Sequence, residues 1–420
     1  MTKLKFSHVS TGFIAVFIGY ASAAAIIYQA AMSAGATQEQ VASWFWALGV
    51  GMGTTTILLS FYYKKPVVTA WSTPGAALLI TSLEGLTMNQ AVAVFLFSSL
   101  LITLVGMAGI FERVLKQIPT SIASAMLAGI LLQFGLGLFT SLMEEVQIVA
   151  VMLAVFFLAK SRLGNLLIPS IFAIALVMCI GLGKLDVSQV TVGLTTPVFI
   201  MPDFEFFSLL SVGIPLFIVT MASQNLPGFA VLKANGYQVD SSKIITTTGV
   251  TGLLLAPLGG FAYNLAAITG AICMGPNADG DPKTRYMAGI SMGVFYLLAG
   301  VMGMSFVSLF SAVPSEVVIA VAGLAVMPTL MNCLAVSMAD SHYREPALFT
   351  FLFTASGTNL LGIGSAFWGF VSDCFVAGYT ITKSERMGII ELRKLSLNYG
   401  KYTYAKLEFI ETHHVALNLV

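Results

Sequence analysis

Apolar runs of about 20 residues alternate along this chain with short breaks that hold lysine, arginine, proline or glycine. At 1.5 Å per helical residue, a run of that length matches the ~30 Å hydrocarbon core of a bilayer. The pattern predicts spans near 12–34, 43–62, 89–110, 121–140, 146–159 and 166–183, then a polar interlude from Lys184 to Glu205. Further spans follow near 207–224, 244–256, 286–311, 315–337, 347–359 and 361–381. Two more apolar segments, 72–83 and 260–275, are too broken to cross. With them the segments form two sets of seven.

The first broken segment sits in KKPVVTAWSTPGAALL, from Lys64 to Leu79. Proline lacks a backbone donor and disfavours helix at the residue before it, so Pro66 and Pro74 predict extended chain and then a short helix starting near Ser72 to Pro74. A helix of about eight to twelve residues cannot span a bilayer. Ser72, Thr73, Pro74 and Gly75 therefore read as the free start of a half-helix, whose amides and positive dipole end favour an anionic group. Ser72 and Thr73 serve equally as plain helix caps.

Composition sharpens the class. The 420 residues are 57% hydrophobic and 9% charged, with a net charge of +1 and a mean hydropathy of +0.90. Soluble domains average about 25% charged residues, so this is an all-α polytopic membrane protein, and no basic footprint for nucleic acid is present. The run from Gly12 to Ala34 is too long for a signal-peptide core and reads as a retained first span. With the N-terminus in the cytoplasm, every lysine and arginine before the tail except Lys184 falls on the cytoplasmic side, as the positive-inside rule asks. That orientation predicts cytoplasmic N- and C-termini in a bacterial-type inner membrane. Cys179, Cys273, Cys333 and Cys374 lie in apolar runs without metal-ligand spacing, so neither a metal site nor a cofactor is expected.

The two sets also rhyme. Thr73 precedes Pro119 by nearly the spacing at which Thr269 precedes Pro314, and the first span resembles the eighth, FIGYASAAAIIYQAAMSAG against FIVTMASQNLPGFAVLKANG. An odd number of spans per unit places the halves upside down to each other, the build of secondary transporters with a site at the meeting of two breaks. The domains predicted are a first repeat, 1–183, a linker, 184–206, a second repeat, 207–382, and a tail, 383–420. The second break offers Tyr263, Asn264 and Thr269; the eighth span offers Ser223, Gln224 and Asn225; the first span offers Tyr28 and Gln29. Polar side chains inside a span meet a ligand, water or one another, and Gln224 and Asn225 fit either ligand contact or interhelical hydrogen bonding. Trp71, Phe261 and Tyr263 would flank an aromatic ring or simply pack. No acidic or basic side chain falls in either break, so the site favours a small anion. Asp373 is the one acid within an apolar span, and it is the candidate for proton coupling or, alternatively, a hydrogen-bonded structural residue.

AWSTPGAALL at Ala70, MASQNLPGFAVLKANGY at Met221 and PLGGFAYNLAAITGAIC at Pro257 resemble the benzoate/proton symporter family, BenE, over roughly residues 5–382. Through that family the chain is similar to nucleobase/proton symporters and sulfate-transporter-type anion exchangers. The resemblance implies fourteen segments in inverted repeats of seven, with short strands before the two half-helices. Spans 1–4 and 8–11 would form a core domain, and spans 5–7 and 12–14 a gate domain. It implies proton-coupled symport of benzoate or a similar aromatic carboxylate by alternating access, with a homodimer suggested by the wider fold. Its site would fall on Ser72 to Gly75, Gln224, Asn225, Tyr263 and Asn264. The glutamates of nucleobase symporters are missing from the eighth and tenth segments, which argues against a nucleobase and leaves the proton carrier unidentified.

Rival readings are a transporter of the same fold for another anion or a nucleobase, a channel, and an intramembrane enzyme. The enzyme fares worst, since His8, His342, His413 and His414 all fall outside the predicted spans and GIGSAF around Ser365 lacks a buried base. Residues 383–420 read as a small cytoplasmic extension or an expression or reading-frame scar, with no function assigned.

Overall fold

The structure is a computed structural model that describes residues 4–111, 113, 119–185, 188, 190, 192–358, 360, 365 and 367–368. The predicted span at 361–381, with Asp373 and Cys374, and the tail lie largely or wholly outside the described residues. In chain order come α1 (Phe6–Ser33), α2 (Gln38–Tyr63), β1 (Thr69–Ala70), α3 (Thr73–Ser82), α4 (Met88–Met107), α5 (Thr120–Glu144), α6 (Val146–Leu163) and α7 (Leu167–Gly181). Then come α8 (Phe206–Ala234), α9 (Ser241–Leu255), β2 (Asn264–Leu265), α10 (Ile268–Met274), α11 (Tyr286–Val301), α12 (Gly303–Ala312), α13 (Ser315–Ser337) and α14 (Arg344–Ala355). Among the described residues, six helices are long and apolar enough to cross a membrane, or eight if each of two bent pairs is one span.

Local chemistry starts these helices. Thr37 accepts from the Gln40 amide at 3.4 Å while the Gln40 side chain returns to the Thr37 amide at 2.9 Å, a capping box that opens α2. Thr87 and Gln90 repeat it at α4. Glu205 caps α8 by accepting from the amides of Phe207 and Ser208 at 3.0 and 2.6 Å. Its carboxyl is held below the usual range chiefly by the Ser208 side-chain hydrogen bond. Pro119 and Pro314 precede α5 and α13 directly.

Two helical groups result. In one, α2 lies along α11, α4 along α9, and α1 rests on α3, α10 and α11; in the other, α5 packs on α13 and α14, and α6 on α7 and α13. The groups meet where α1 touches α7 and α13 and where α3 and α8 touch α5. The α2/α11 interface is a glycine seam. A Cβ on Gly49 would stand 2.4 Å from Gly300 Cα, one on Gly53 2.7 Å from the Gly293 carbonyl oxygen, and one on Gly289 2.7 Å from Ser60 Oγ. The backbones approach as closely as they do because no side chain intervenes.

Several boundaries differ from the sequence pattern. The eighth segment continues past 224 to Ala234, because Pro227 falls behind a wide helical turn at Met221–Asn225 that already lacks ordinary i to i−4 bonding. The segment at 286–311 is two helices, bent by 59° between Val301 and Gly303. The interlude after α7 straps the ends of α2, α4, α9 and α11. Amides of Thr195, Val198, Ile200 and Asp203 donate to the Val301 carbonyl, Ser43 Oγ, the Pro257 carbonyl and the Asn89 carbonyl at 2.8–3.0 Å.

At the opposite end, the start of α1 is pinned to the loop after α10. Asp279 accepts from Lys5 Nζ at 2.7 Å and lies 2.9 Å from His8 Nε2, while the Lys5 amide donates to His8 Nδ1 at 3.2 Å. Arg285 Nε donates to the Asp279 carbonyl at 2.8 Å. His8, expected outside the first span, is fully buried in the first turn of α1. Asp279 gives it a polar partner there.

Candidate functional site

The centre of the fold is where the two breaks pair. β1 and β2 run antiparallel, Thr69 opposite Leu265 and Ala70 opposite Asn264, and the Ala266 amide extends the ladder to the Val68 carbonyl at 3.0 Å. Because the strands are antiparallel, the chain leaves them at opposite ends of the pair, toward α3 from one and toward α10 from the other.

Each strand is held by a different helix. Thr69 Oγ1 lies 2.6 Å from Thr55 Oγ1 and 2.9 Å from Thr56 Oγ1, and donates to the Met52 carbonyl at 3.0 Å, fixing β1 on α2. β2 is held by Asn225, whose Oδ1 accepts from the Leu265 amide at 3.0 Å. Gly228, one turn on, allows the contact: a Cβ there would stand 2.4 Å from Leu265 Cβ.

α3 starts as its residues dictate. Ser72 is the N-cap and its Oγ accepts from the Gly75 amide at 2.9 Å, Pro74 stands in the first turn, and the helix ends after ten residues. Ser72, Pro74 and Gly75 are buried and Thr73 is half-buried. α10 has seven residues and no side-chain cap.

The remaining predicted residues divide. Thr269 lies in the first turn of α10, near Tyr296 of α11. Gln224 is half-buried next to Asn225. Ser223 Oγ donates within its helix to the Val219 carbonyl at 2.5 Å. Asn264 is buried, its amide nitrogen bonded to the Ala262 carbonyl at 2.9 Å and its Oδ1 without a partner among the described residues. Tyr263 faces the other way: its hydroxyl donates to the Ala47 carbonyl of α2 at 2.7 Å, and its ring fills the space a side chain at Gly51 would need. Phe261 packs between Trp44 and Phe95. Tyr28 and Gln29 lie away from the half-helix starts, Tyr28 within 3.2 Å of Ser311 Oγ and against Phe310 of α12, and Gln29 Nε2 buried and unpartnered among the described residues.

The α1 residue that does lie beside the α3 start is Tyr20, an aromatic the residue pattern does not single out. Its ring meets Trp71, the residue before the α3 cap, edge-on at 4.7 Å between centroids, and Tyr296 at 6.2 Å. Phe306 of α12 covers it at 5.1 Å, and Phe45 completes the cluster. A separate groove of about 570 Å³ runs between α1 and α10, on the face of α1 that carries Thr11, Ile14 and Ile18, away from this cluster. Among the described residues the only buried acidic or basic side chains are Asp279 and His8, at the far end of α1. The helix starts thus meet neutral donors and aromatic faces, surroundings that suit an anion with an apolar body.

Known proteins place this arrangement. The model of the benzoate membrane transport protein family, BenE, matches residues 2–379. The inner membrane protein YdcO of Escherichia coli (strain K12) is 45% identical over 367 residues, 87% of this chain and 94% of that protein. The benzoate membrane transport protein of Acinetobacter baylyi is 40% identical over 358 residues, 85% of this chain and 91% of that protein. In fold the chain is similar to the transmembrane domain of a cyanobacterium bicarbonate transporter, BicA, with a TM-score of 0.56 at 14% identity over 84% of this chain and 99% of that one. It is similar also to the murine anion transporter Slc26a9 in its inward-facing state, with a TM-score of 0.58 at 12% identity over 91% of this chain and 69% of that one. The chain is a multi-pass membrane transporter, not an enzyme, and it belongs to the benzoate membrane transport protein family.

Proposed function

We propose that this transporter carries benzoate or a similar aromatic carboxylate together with a proton, by alternating access. The observation that carries the reading is the capped start of α3, set beside Trp71 and Tyr20 with no buried acidic or basic side chain near it among the described residues. A helix start offers amides and a positive dipole end to a carboxylate, and aromatic faces accept its ring. A relative 40% identical is described as a benzoate membrane transport protein, which supports the substrate class.

In this reading the chain has fourteen segments in inverted repeats, 1–183 and 207–382, joined by 184–206, with both termini in the cytoplasm and 383–420 outside the transport unit. The opposed departures of α3 and α10 support it. The half-helix start Ser72 to Gly75, Gln224, Asn264 and Thr269 line the site; Asn225 and Tyr263 shape it from behind; Tyr28 and Gln29 stand toward α12. Asp373 is the candidate proton carrier, and two copies associate as a dimer.

The test is uptake of labelled benzoate into proteoliposomes with and without an inward proton gradient, with uracil and sulfate as competitors and protein-free liposomes as background. Saturable, gradient-driven uptake blocked only by aromatic carboxylates is expected. Competition by sulfate or bicarbonate would favour a second reading, transport of a small inorganic anion, which the bicarbonate transporter of similar fold keeps in view.

A further inference from the structure

One hydroxyl beside the α3 start has nothing to do in the described structure. Tyr20 is 3% exposed, and its Oη has no hydrogen-bond partner among the described residues. An unpaired buried hydroxyl is unfavourable, and phenylalanine would fill the same space without that cost. The packing around the ring, Trp71 edge-on and Phe306 at 5.1 Å, is of a kind phenylalanine would make equally well. Neighbouring polar groups are already engaged: the Trp71 amide donates to Met52 Sδ at 3.0 Å and Ser72 Oγ accepts from Gly75.

Position gives the hydroxyl a use. α1 bends by 42° between Tyr20 and Ala23, and Tyr20 stands between Trp71, the residue before the α3 cap, and Tyr296 of α11. Phe306 over the ring is only half-buried, so it is the side of the cluster that opens without moving backbone.

We infer that Tyr20 is a substrate-contacting residue, its hydroxyl donating a hydrogen bond to the carboxylate of the transported aromatic acid while the acid's ring packs in the aromatic cluster with Trp71, Phe306 moving aside to admit it. The inference rests on the aromatic carboxylate reading above and adds a donor that the helix starts alone do not supply.

The test compares the full-length wild type with Tyr20→Phe in detergent, by thermal unfolding with and without benzoate and by benzoate titration. Removing an idle hydroxyl leaves the ligand-free midpoint unchanged or raises it, whereas benzoate affinity falls about tenfold or more, as for loss of a hydrogen bond to a charged group. Tyr263→Phe is the control for a hydroxyl with a structural partner, the Ala47 carbonyl at 2.7 Å, and lowers the ligand-free midpoint. Unchanged benzoate affinity in Tyr20→Phe overturns the inference and leaves the substrate reading standing. A lowered ligand-free midpoint, or failure to fold, also overturns it, since it would mean the hydroxyl has a structural partner after all. Absence of saturable benzoate binding in the wild type removes both.

Discussion

The two breaks that meet at the centre of this transporter are built by opposite means. The first takes its helix start from local residues, since Pro66, the Ser72 cap and Pro74 set extended chain, turn and helix start within one short stretch, and only its strand leans on α2 through Thr69. The second depends on its surroundings. α10 has no side-chain cap, Ala262 takes a left-handed φ of 47°, Gly259 one of 92°, and β2 is held by Asn225 from another helix. A break written locally survives changes in its neighbours, and a break written by tertiary contact fails with them.

Gly259→Ala attacks the second break hardest. The new Cβ would stand 1.9 Å from Trp44 Cδ1 at a φ that alanine adopts poorly, so a loss of about 3 kcal/mol or more is expected, read as a lowered unfolding midpoint and poor yield. Asn225→Ala comes next. It strips the Leu265 amide of its buried acceptor and costs about 1–3 kcal/mol, and any loss of benzoate affinity follows the loss of stability rather than preceding it. Against the first break, Ser72→Ala removes one cap and costs about 1 kcal/mol, with α3 otherwise retained; an effect as large as that of Asn225→Ala would erase the contrast.

The smallest effect concerns the far end of α10. The Asp279 carboxyl is held well below the usual range, first by the Lys5 hydrogen bond and then by the Asp281 amide. A depressed pKa contributes stability that is present above the unfolded value of about 3.9 and is lost as pH falls through the folded one. Asp279→Asn should therefore lower the unfolding midpoint near neutral pH, with the gap to wild type closing below about pH 4. A constant gap across that range would show that the pairing is not electrostatic.

The same contrast explains what could be read from the sequence. Membrane class and the α3 start were legible because proline, cap and run length act within a few residues. Asn225 was open between ligand contact and interhelical bonding, and its partner turns out to be backbone of β2, 40 positions away. Tyr263 looked available because nothing local showed that Gly51 leaves room for its ring in α2. Tyr20 was invisible for the reverse reason: an aromatic in an apolar run reads the same whether it faces lipid, packing or a site. The buried His8 has the same cause, since its partner Asp279 lies 271 positions on.

The glycine seam between α2 and α11 also has a mechanical meaning. With Gly49 against Gly300 and Gly53 against Gly293, the backbones touch and Ile57 and Leu297 lock into the glycine positions of the facing helix, so sliding one helix past the other would drive backbone into backbone. The two helices, with β1 fastened to α2 by Thr69, behave as a single girder. Whatever displacement accompanies a transport cycle must be absorbed elsewhere. The contact of α1 with α13 can absorb it, because the glycines of those helices press on other neighbours and leave longer side chains to slide and repack.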